Sequence, residues 1–184
     1  MTTAAVVLAA GEGSRFAGGT HKLLATFRGR PLWSWAVDAA VAAGLDATYV
    51  VTGAVDLSVG SPVVTVRNQA WASGQATSLA AGVAAAGAAG HDVVVIGLAD
   101  QPLIGPDAWQ AVAATTATPI AVASFAGERR PPVRLAAEVW PLLPKSGDDG
   151  ARVVMRERPE LVTAVPCTGE AVDIDTLEDL ERWS

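Results

Sequence analysis

Leu8-Ala9-Ala10-Gly11-Glu12-Gly13-Ser14-Arg15 decides the fold of this chain, because it joins a short apolar run to a loop with two glycines. The apolar run from Ala5 to Ala10 is stopped by glycine, which is typical of a central strand buried on both faces. Glycines let the loop backbone turn tightly and point amide groups at an anion. Arg15, and further on Lys22, add two cations. The stretch therefore predicts a strand and a phosphate-binding loop, although a plain turn with two solvated cations fits the spacing equally well.

Two well-known phosphate-binding patterns do not fit this loop. A Walker loop has Lys directly after the second glycine of its G-x-x-x-x-G pair, but counted from Gly13 that pair ends at Gly18, and Gly19 follows. A dinucleotide fingerprint G-x-G-x-x-G that starts at Gly11 meets Phe16 where its third glycine should stand. A dehydrogenase that uses a dinucleotide is therefore disfavoured.

Strand and helix patterns alternate along the rest of the chain. Periodicity and breakers predict strands over 5–10, 47–52, 63–66, 92–97, 120–124 and 161–165, an edge strand over 132–135, and helices over 31–43, 75–86, 105–115, 148–157 and 176–183. This order predicts a three-layer, Rossmann-like α/β fold with a mainly parallel central sheet and ligands at the carboxyl ends of its strands. No linker or repeat divides the sequence, so residues 1–184 are expected to form a single domain.

Composition bounds the partners and the compartment. The chain has 184 residues, a hydrophobic fraction of 51% and a formal net charge of −6. Its apolar runs are strand-sized, far below the roughly 20 residues of a membrane span, and the first residues carry no charged n-region of a signal peptide. The acidic balance disfavours nonspecific binding to nucleic acid or to anionic membranes. Cys167 has no second cysteine to pair with, so we expect a cytoplasmic protein.

Two carboxylate segments are candidates for metal binding. Asp100 follows the strand predicted over 92–97, where ligands bind in such folds, and magnesium prefers oxygen ligands. Asp173 and Asp175 are two residues apart, so on a strand their side chains would share a face. The alternatives are a turn-forming role for Asp100 before Pro102, and a helix N-cap role for Asp175.

The glycine loop also carries a family resemblance. Leu8-Ala9-Ala10-Gly11-x-Gly13-x-Arg15, followed by Lys22-Leu23-Leu24, resembles the signature of the nucleotidyltransferases of molybdenum cofactor biosynthesis, and in particular the cytidylyltransferase branch, which joins CMP to molybdopterin. The resemblance implies that the loop wraps a triphosphate and that Arg15 and Lys22 contact it. The guanylyltransferase branch tends to have Leu-Ala-Gly-Gly at this point, so CTP is favoured over GTP.

The resemblance extends over nearly the whole chain. Asn68-x-x-Trp71-x-x-Gly74-x-x-x-Ser78 resembles the segment that enters the nucleotide site from a loop and opens a helix, and amides near Gly74 would lie at the helix start. Ser78 would contact base or ribose, or alternatively serve the backbone. The implied nucleotide contacts are Leu8, Ala9, Ala10, Gly11, Gly13, Ser14, Arg15, Lys22, Asn68, Gly74 and Ser78.

The resemblance also implies a metal site. Asp100 matches the family's metal-holding Asp, and Asp175 matches the first residue of an Asp-Thr-Pro-Glu-Asp segment, with Leu177 in place of the proline. Asp100 and Asp175 are therefore the expected ligands of Mg²⁺. Asp173 is a further candidate at this site.

The acceptor side matches the family less well. Gly147-Asp148-x-Gly150-Ala151-Arg152 resembles a family segment near the second substrate, so Asp148 and Arg152 are expected to contact the acceptor. The family's Gly-His-Pro is replaced by Arg130-Pro131-Pro132, which puts the use of molybdopterin in question and leaves the nucleotide half unaffected. Arg129 and Arg130 could still meet an acceptor phosphate. His21 and His91 show no partners that would make a zinc site.

Together these features predict a magnesium-dependent nucleotidyltransferase that moves a nucleoside monophosphate from CTP to a pterin or other small phosphorylated acceptor. Arg15, Lys22 and Asp100 are the expected catalytic residues. The alternatives are a guanylyltransferase, another NTP transferase with a small acceptor, or a catalytically silent nucleotide-binding sensor. The resemblance further implies an interaction with a molybdoenzyme or its chaperone.

Overall fold

Seven strands form the central sheet of the computed structural model, which describes residues 1–17 and 19–184. Gly18, the second glycine of the Walker comparison, lies outside the described residues. A separate two-stranded sheet pairs the second and third strands. In chain order the strands are β1 (Thr3–Ala9), β2 (Thr26–Phe27), β3 (Arg30–Pro31), β4 (Ala47–Thr52), β5 (Val64–Arg67), β6 (Val93–Leu98), β7 (Ile120–Phe125), β8 (Glu128–Ala136) and β9 (Val162–Pro166).

The strand order of the sheet is β5-β4-β1-β6-β8-β7-β9, and β8 alone runs antiparallel to its neighbours. This confirms the mainly parallel sheet. β1 pairs in parallel with β4 and with β6, with Ala9 opposite Thr52 and Leu8 opposite Leu98. Because parallel strands end at the same edge, the glycine loop after β1 and Asp100 after β6 emerge side by side.

The edge strand predicted over 132–135 is wrong in its position. β8 lies inside the sheet between β6 and β7. Its prolines are tolerated because they fall in a bulge. Against β7, Val122 pairs with Val133, but the next residue, Ala123, pairs with Arg130. Against β6, the pairing ends at Val133. No ladder hydrogen bond is therefore required from Pro131 or Pro132, which have no N–H to donate.

In residues 1–17 and 19–184, five α-helices cover the sheet: α1 (Leu32–Ala42), α2 (Gln75–Ala88), α3 (Pro106–Ala114), α4 (Arg152–Glu157) and α5 (Leu177–Trp183). The helix predicted from 148 begins only at Arg152, because residues 148–151 form a loop. A capping box starts α5, with Thr176 and Asp179 exchanging hydrogen bonds. In the part of the chain that the structure describes, no helix is long and apolar enough to cross a bilayer.

The two faces of the sheet bury two separate apolar clusters, as the alternation of side chains along a strand requires. On β1, Ala5 and Val7 point into the cluster that contains residues of α1 and α3. Val6 and Leu8 point into the cluster that contains residues of α2 and α4. Both clusters are fully covered, which gives the three layers predicted from the sequence.

Gly82, which interrupts the predicted helix, lets α2 lie unusually close to β1. A Cβ atom at this position would stand 2.5 Å from Cγ1 of Val6, which is shorter than any real contact. The glycine is therefore a packing requirement rather than a weak point of the helix. This close approach sets the start of α2 beside the end of β1, at the edge where the glycine loop begins.

Candidate active site

A cleft of about 470 Å³ opens at the carboxyl ends of β1 and β6, and we call it the donor cleft. Its walls come from the glycine loop, from the start of α2 and from the segments that follow β6. Of the predicted nucleotide and metal contacts, the following line it: Leu8, Ala9, Ala10, Gly11, Gly13, Ser14, Arg15, Lys22, Gly74, Ser78, Asp100 and Asp175.

Lys22 lies between the two predicted metal carboxylates. Its Nζ atom donates to Oδ2 of Asp100 at 2.7 Å and to Oδ1 of Asp175 at 2.9 Å. Arg15 reaches the other oxygen of Asp175 at 2.9 Å, from a side chain that is 75% exposed. Burial acts to lower the pKa of Lys22, but the two carboxylates outweigh burial and raise that pKa above its ordinary 10.5. The ammonium is therefore charged at neutral pH.

The pair Asp100 and Asp175 suits a hard divalent cation. Oδ1 of Asp100 is buried and has no hydrogen-bond partner among the described residues, so it is free to accept a metal bond. Asp175 is not engaged as a helix cap, since Thr176 is the N-cap of α5. Outside position 18, no group of three or more His, Cys, Asp or Glu side chains could hold a metal. Two carboxylates, completed by phosphate oxygens and water, form a donor set that fits Mg²⁺.

Asp173 does not join this cluster. Its Oδ1 atom accepts a hydrogen bond of 2.7 Å from Gln101, and its Oδ2 atom lies 3.4 Å from Nη1 of Arg130. The face that a strand would give Asp173 and Asp175 in common does not arise, because residues 172–175 are not a strand, and the two carboxylates have different partners. Burial, with Asp100 adding to it, raises the pKa of Asp173 above its ordinary 3.8. Asp173 thus connects the segment after β6 to β8.

Asn68 lies one layer behind the donor cleft. Its amide nitrogen donates to the hydroxyls of Thr77 and Ser78, each at 2.9 Å, and its Oδ1 atom accepts from the Ala70 amide at 2.9 Å. These bonds support the start of α2, and Asn68 does not line the donor cleft. Ser78 lines the cleft, although its hydroxyl already accepts a bond from Asn68.

The loop 147–150 is docked on the start of α2. The Ala76 amide donates to the Gly147 carbonyl at 2.9 Å, and the Gly147 amide donates to Ser73 at 3.1 Å. Gly74 makes this possible: its φ is +104°, and a Cβ there would stand 2.5 Å from the Gly147 backbone. The Gly74 amide is itself occupied by the Trp71 carbonyl at 3.2 Å, so it is not free to bind an anion.

A second cleft of about 290 Å³ adjoins the first, and we call it the acceptor cleft. The two clefts share Leu8, Gln75 and Leu98. Apolar side chains of the sheet and helices line the acceptor cleft, among them Leu79, Ile96, Val122, Val133 and Met155. Four arginines also line it: Arg129, Arg130, Arg152 and Arg156.

The two predicted acceptor contacts are separated by the structure. Arg152 lines the acceptor cleft, whereas Asp148 lies on the wall of the donor cleft. The reason is the docked loop 147–150, which turns between the two clefts so that Asp148 faces the donor cleft and Asp149 and Gly150 face the acceptor cleft.

Two residues that line the clefts, Arg156 and Gln75, were not predicted as site residues, although the sequence holds a signal for each. Arg156 follows Arg152 by one helical turn, so both point to the same side of α4. Gln75 is the first residue of α2, directly after Gly74, and its position at the shared wall follows from that glycine.

Comparison with known proteins places this geometry in a family. The profile of the MobA-like NTP transferase domain matches residues 5–162. Nicotine blue oxidoreductase of Paenarthrobacter nicotinovorans is 32% identical, over 96% of this chain and 94% of that protein. The purine catabolism protein PucB of Bacillus subtilis is also 32% identical, over 96% of this chain and 93% of that protein.

Solved structures agree with this placement. A nucleotidyl transferase from Methanothermobacter superposes with a TM-score of 0.84 at 26% identity, over 98% of this chain and 95% of that one. A Mycobacterium tuberculosis protein solved in complex with manganese superposes with a TM-score of 0.78 at 25% identity, over 100% and 98% of the two chains. The chain therefore belongs to the MobA-like NTP transferase domain family and is a nucleotidyltransferase.

Proposed function

We propose that this protein is a cytoplasmic, Mg²⁺-dependent nucleotidyltransferase that moves CMP from CTP onto a phosphorylated acceptor such as molybdopterin and releases pyrophosphate. One observation carries the proposal: the donor cleft, with its cluster of Lys22, Asp100 and Asp175, meets the acceptor cleft at a shared wall. A triphosphate in the first cleft and an anionic acceptor in the second would meet over Leu98. Catalysis then consists of positioning and charge neutralisation.

The donor cleft supplies both kinds of charge that the reaction needs. The glycine loop would surround the triphosphate, while Arg15 and Lys22 would stabilise the departing pyrophosphate, where negative charge accumulates. Asp100 and Asp175 would hold Mg²⁺, which supplies neutralisation at the phosphoryl group under transfer. Lys22 is held between these carboxylates in the structure, so its shift toward phosphate would free both of them at the same time.

The acceptor cleft favours an anion with an apolar body. Four arginines and a single carboxylate, Asp149, line an otherwise largely apolar surface. Arg130 stands in the segment that replaces the family's Gly-His-Pro, so this chain has an added guanidinium there. A guanidinium binds phosphate oxygens through paired hydrogen bonds. These features support a pterin with a phosphate group as acceptor. A molybdoenzyme or its chaperone would then receive the product, as the family resemblance implies.

An oxidoreductase is the second candidate, because one relative at 32% identity bears that name. The sequence of the glycine loop argues against an oxidoreductase that uses a dinucleotide. A dinucleotide fingerprint needs a small third glycine where this chain has Phe16, and the Phe16 side chain is buried. A nucleotide-binding sensor without catalysis is the third candidate, and the changed acceptor segment is its motivation.

Release of pyrophosphate tests these candidates. CTP, GTP, ATP and UTP are each supplied with Mg²⁺, with and without molybdopterin, and binding of NADH and NADPH is measured in parallel. Release that requires both CTP and molybdopterin supports the proposal. A preference for GTP overturns the choice of base, binding without release in any combination indicates the sensor, and binding of NADH alone indicates the oxidoreductase.

Substitution of the metal ligands tests the Mg²⁺ site separately. Asp175→Asn should abolish release and weaken binding of Mn²⁺, measured by its electron paramagnetic resonance signal. Asp38→Asn is the matched control, since Asp38 pairs with Arg30 on the surface. Equal Mn²⁺ binding by Asp175→Asn and wild type would contradict the assignment.

A further inference from the structure

His21 joins the glycine loop to the turn that carries Lys22. Its Nε2 atom lies 3.0 Å from the carbonyl oxygen of Gly11, and its Nδ1 atom accepts a hydrogen bond of 3.2 Å from the Leu23 amide. The second bond caps the short 3₁₀ helix Lys22–Leu24. One side chain therefore bonds to both segments that line the phosphate end of the donor cleft.

The two bonds define the state of the imidazole ring. A backbone amide can only donate, so Nδ1 must be unprotonated to bond with Leu23. A carbonyl can only accept, so Nε2 must carry the proton to bond with Gly11. Both bonds are satisfied at once by the neutral ring with its proton on Nε2, and neither the other neutral form nor the doubly protonated ring can make both.

The glycine loop also packs closely against the side chains of His21 and Lys22. Gly13 has a φ of +67°, and a Cβ at this position would stand 3.0 Å from Cγ of Lys22 and 3.6 Å from Nε2 of His21. The loop therefore rests directly on the Lys22 side chain and the His21 ring. A change in the orientation of the ring would move the loop relative to Lys22.

We propose that His21 is a positioning residue, which holds the glycine loop against the Lys22 turn so that the loop and the ammonium converge on the triphosphate. The proposal rests on the proposed function, since it presumes a triphosphate in the donor cleft. It gives His21 a role other than zinc binding, and one in which the residue need not touch the substrate.

Two substitutions separate the two bonds. Asn in place of His21 keeps an acceptor for the Leu23 amide, because Asn is a good N-cap residue, but it is too short to reach Gly11. Ala in place of His21 removes both bonds. His91→Asn is the matched control: His91 follows α2 at the other end of β6 and packs edge-on against Tyr49 at 6.0 Å.

Affinities for CTP and CMP are measured by calorimetry for wild type, His21→Asn, His21→Ala and His91→Asn. Both His21 variants should bind CTP about five- to tenfold more weakly, the loss expected for one net hydrogen bond. Their affinity for CMP, which lacks the β- and γ-phosphates, should stay within about twofold, and the control should match wild type for both ligands. Hydrogen exchange of the Leu23 amide should quicken in His21→Ala and stay slow in His21→Asn.

Three outcomes would overturn the role of His21. His21→Asn with the CTP affinity of wild type shows that the bond to Gly11 is irrelevant, and an equal loss of CTP and CMP affinity shows a general structural defect. A ¹⁵N spectrum of wild type that shows the proton on Nδ1 also contradicts it. Wild-type protein that binds no nucleoside triphosphate would overturn the proposed function itself, whereas the other results leave that function intact.

Discussion

Nζ of Lys22 donates a 2.7 Å hydrogen bond to Oδ2 of Asp100, a residue 78 positions further along the chain. Both side chains are mostly buried at the edge of the donor cleft, with 11% and 21% of their surface exposed. A partly buried ion pair contributes little net stability, because desolvation offsets much of the attraction. We interpret the ion pair between Lys22 and Asp100 as the state of the donor cleft before a substrate binds.

Replacement of Lys22 should therefore affect turnover more than binding. Lys22→Met should lower kcat about 100-fold or more, because the cation that stabilises the leaving group is lost, and should weaken CTP binding far less. Pyrophosphate release and calorimetry measure the two effects. Lys145→Met, at an exposed lysine, is the control. Unchanged turnover with weakened CTP binding would refute this role.

Lys22→Met should also be stabilised more by Mg²⁺ than wild type is. Without the ammonium, Asp100 and Asp175 face each other with no shared cation, so Mg²⁺ binding relieves a repulsion that wild type does not have. Thermal unfolding with and without Mg²⁺ should show a larger rise in Tm for Lys22→Met than for wild type. Equal shifts in the two proteins would show that the carboxylates do not bind the ion together.

The acceptor arginines should act on the second substrate alone. Arg152→Ala and Arg156→Ala should each raise KM for the acceptor about tenfold and leave KM for CTP unchanged, as expected for the loss of a charge-assisted contact. Steady-state kinetics with each substrate varied in turn provides the measurement. Arg158→Ala is the control, since Arg158 pairs with Glu160 at 2.7 Å and lines neither cleft. An equal rise in both KM values would contradict separate clefts.

The capping box of α5 should make stability depend on pH. Hydrogen bonds, first that with Thr176, lower the pKa of Asp179 below its ordinary 3.8. A depressed folded-state pKa gives a contribution that is present above pH 3.8 and lost as the pH falls through the folded value. Asp179→Ala should destabilise the protein by about 1 kcal/mol at pH 7, with the difference shrinking below pH 3.8.

Urea unfolding from pH 7 to pH 2 measures the effect of Asp179→Ala. Glu178→Ala is the control, because Glu178 lies in the same turn without sharing the box. A destabilisation of Asp179→Ala that is the same at pH 7 and pH 2 would show that the charge of the carboxylate is irrelevant.

Gly74 should not tolerate a side chain. Gly74→Ala should cost about 2 kcal/mol or more, because the residue has a positive φ and its Cβ would collide with the Gly147 backbone. Displacement of the loop 147–150 should also lower activity. Gly60→Ala, at an open position without positive φ, should be nearly neutral. Urea unfolding compares the two, and similar losses would remove the special role of Gly74.

The sequence predicted most of the fold because local signals agreed with tertiary structure. The buried strands around Val7 and Val95 are apolar throughout, and breakers mark the ends of their neighbours. The position of β8 could not be predicted, because prolines normally indicate an edge and only the bulge beside Val133 removes the need for their N–H groups. The loop before Arg152 was equally hidden, since its docking depends on Gly74, far away in sequence.

The positions of site residues that directly follow strands could be predicted from the sequence. The hydrogen-bond partners of the site's side chains could not. Asp100 and the glycine loop lie where strand order puts them. The partners of Asp173, namely Gln101 and Arg130, depend on how three separate segments pack, and no sequence spacing records that. The bonds of His21 were not predicted for the same reason, because its contact with Gly11 forms only when the loop folds back.

The shared wall at Leu8, Gln75 and Leu98 separates two clefts that are built from different parts of the sequence. Apart from that wall and its neighbours Leu79 and Ile96, the acceptor cleft draws its lining from residues 122–156, while most of the donor cleft comes from residues 8–100. One contiguous segment thus supplies most of the acceptor side, and its Gly147 and Asp148 engage the donor side, through α2 and the cleft wall. Transplanting residues 122–156 between relatives, with Gly147 and Asp148 kept in place, is the corresponding route for changing the second substrate.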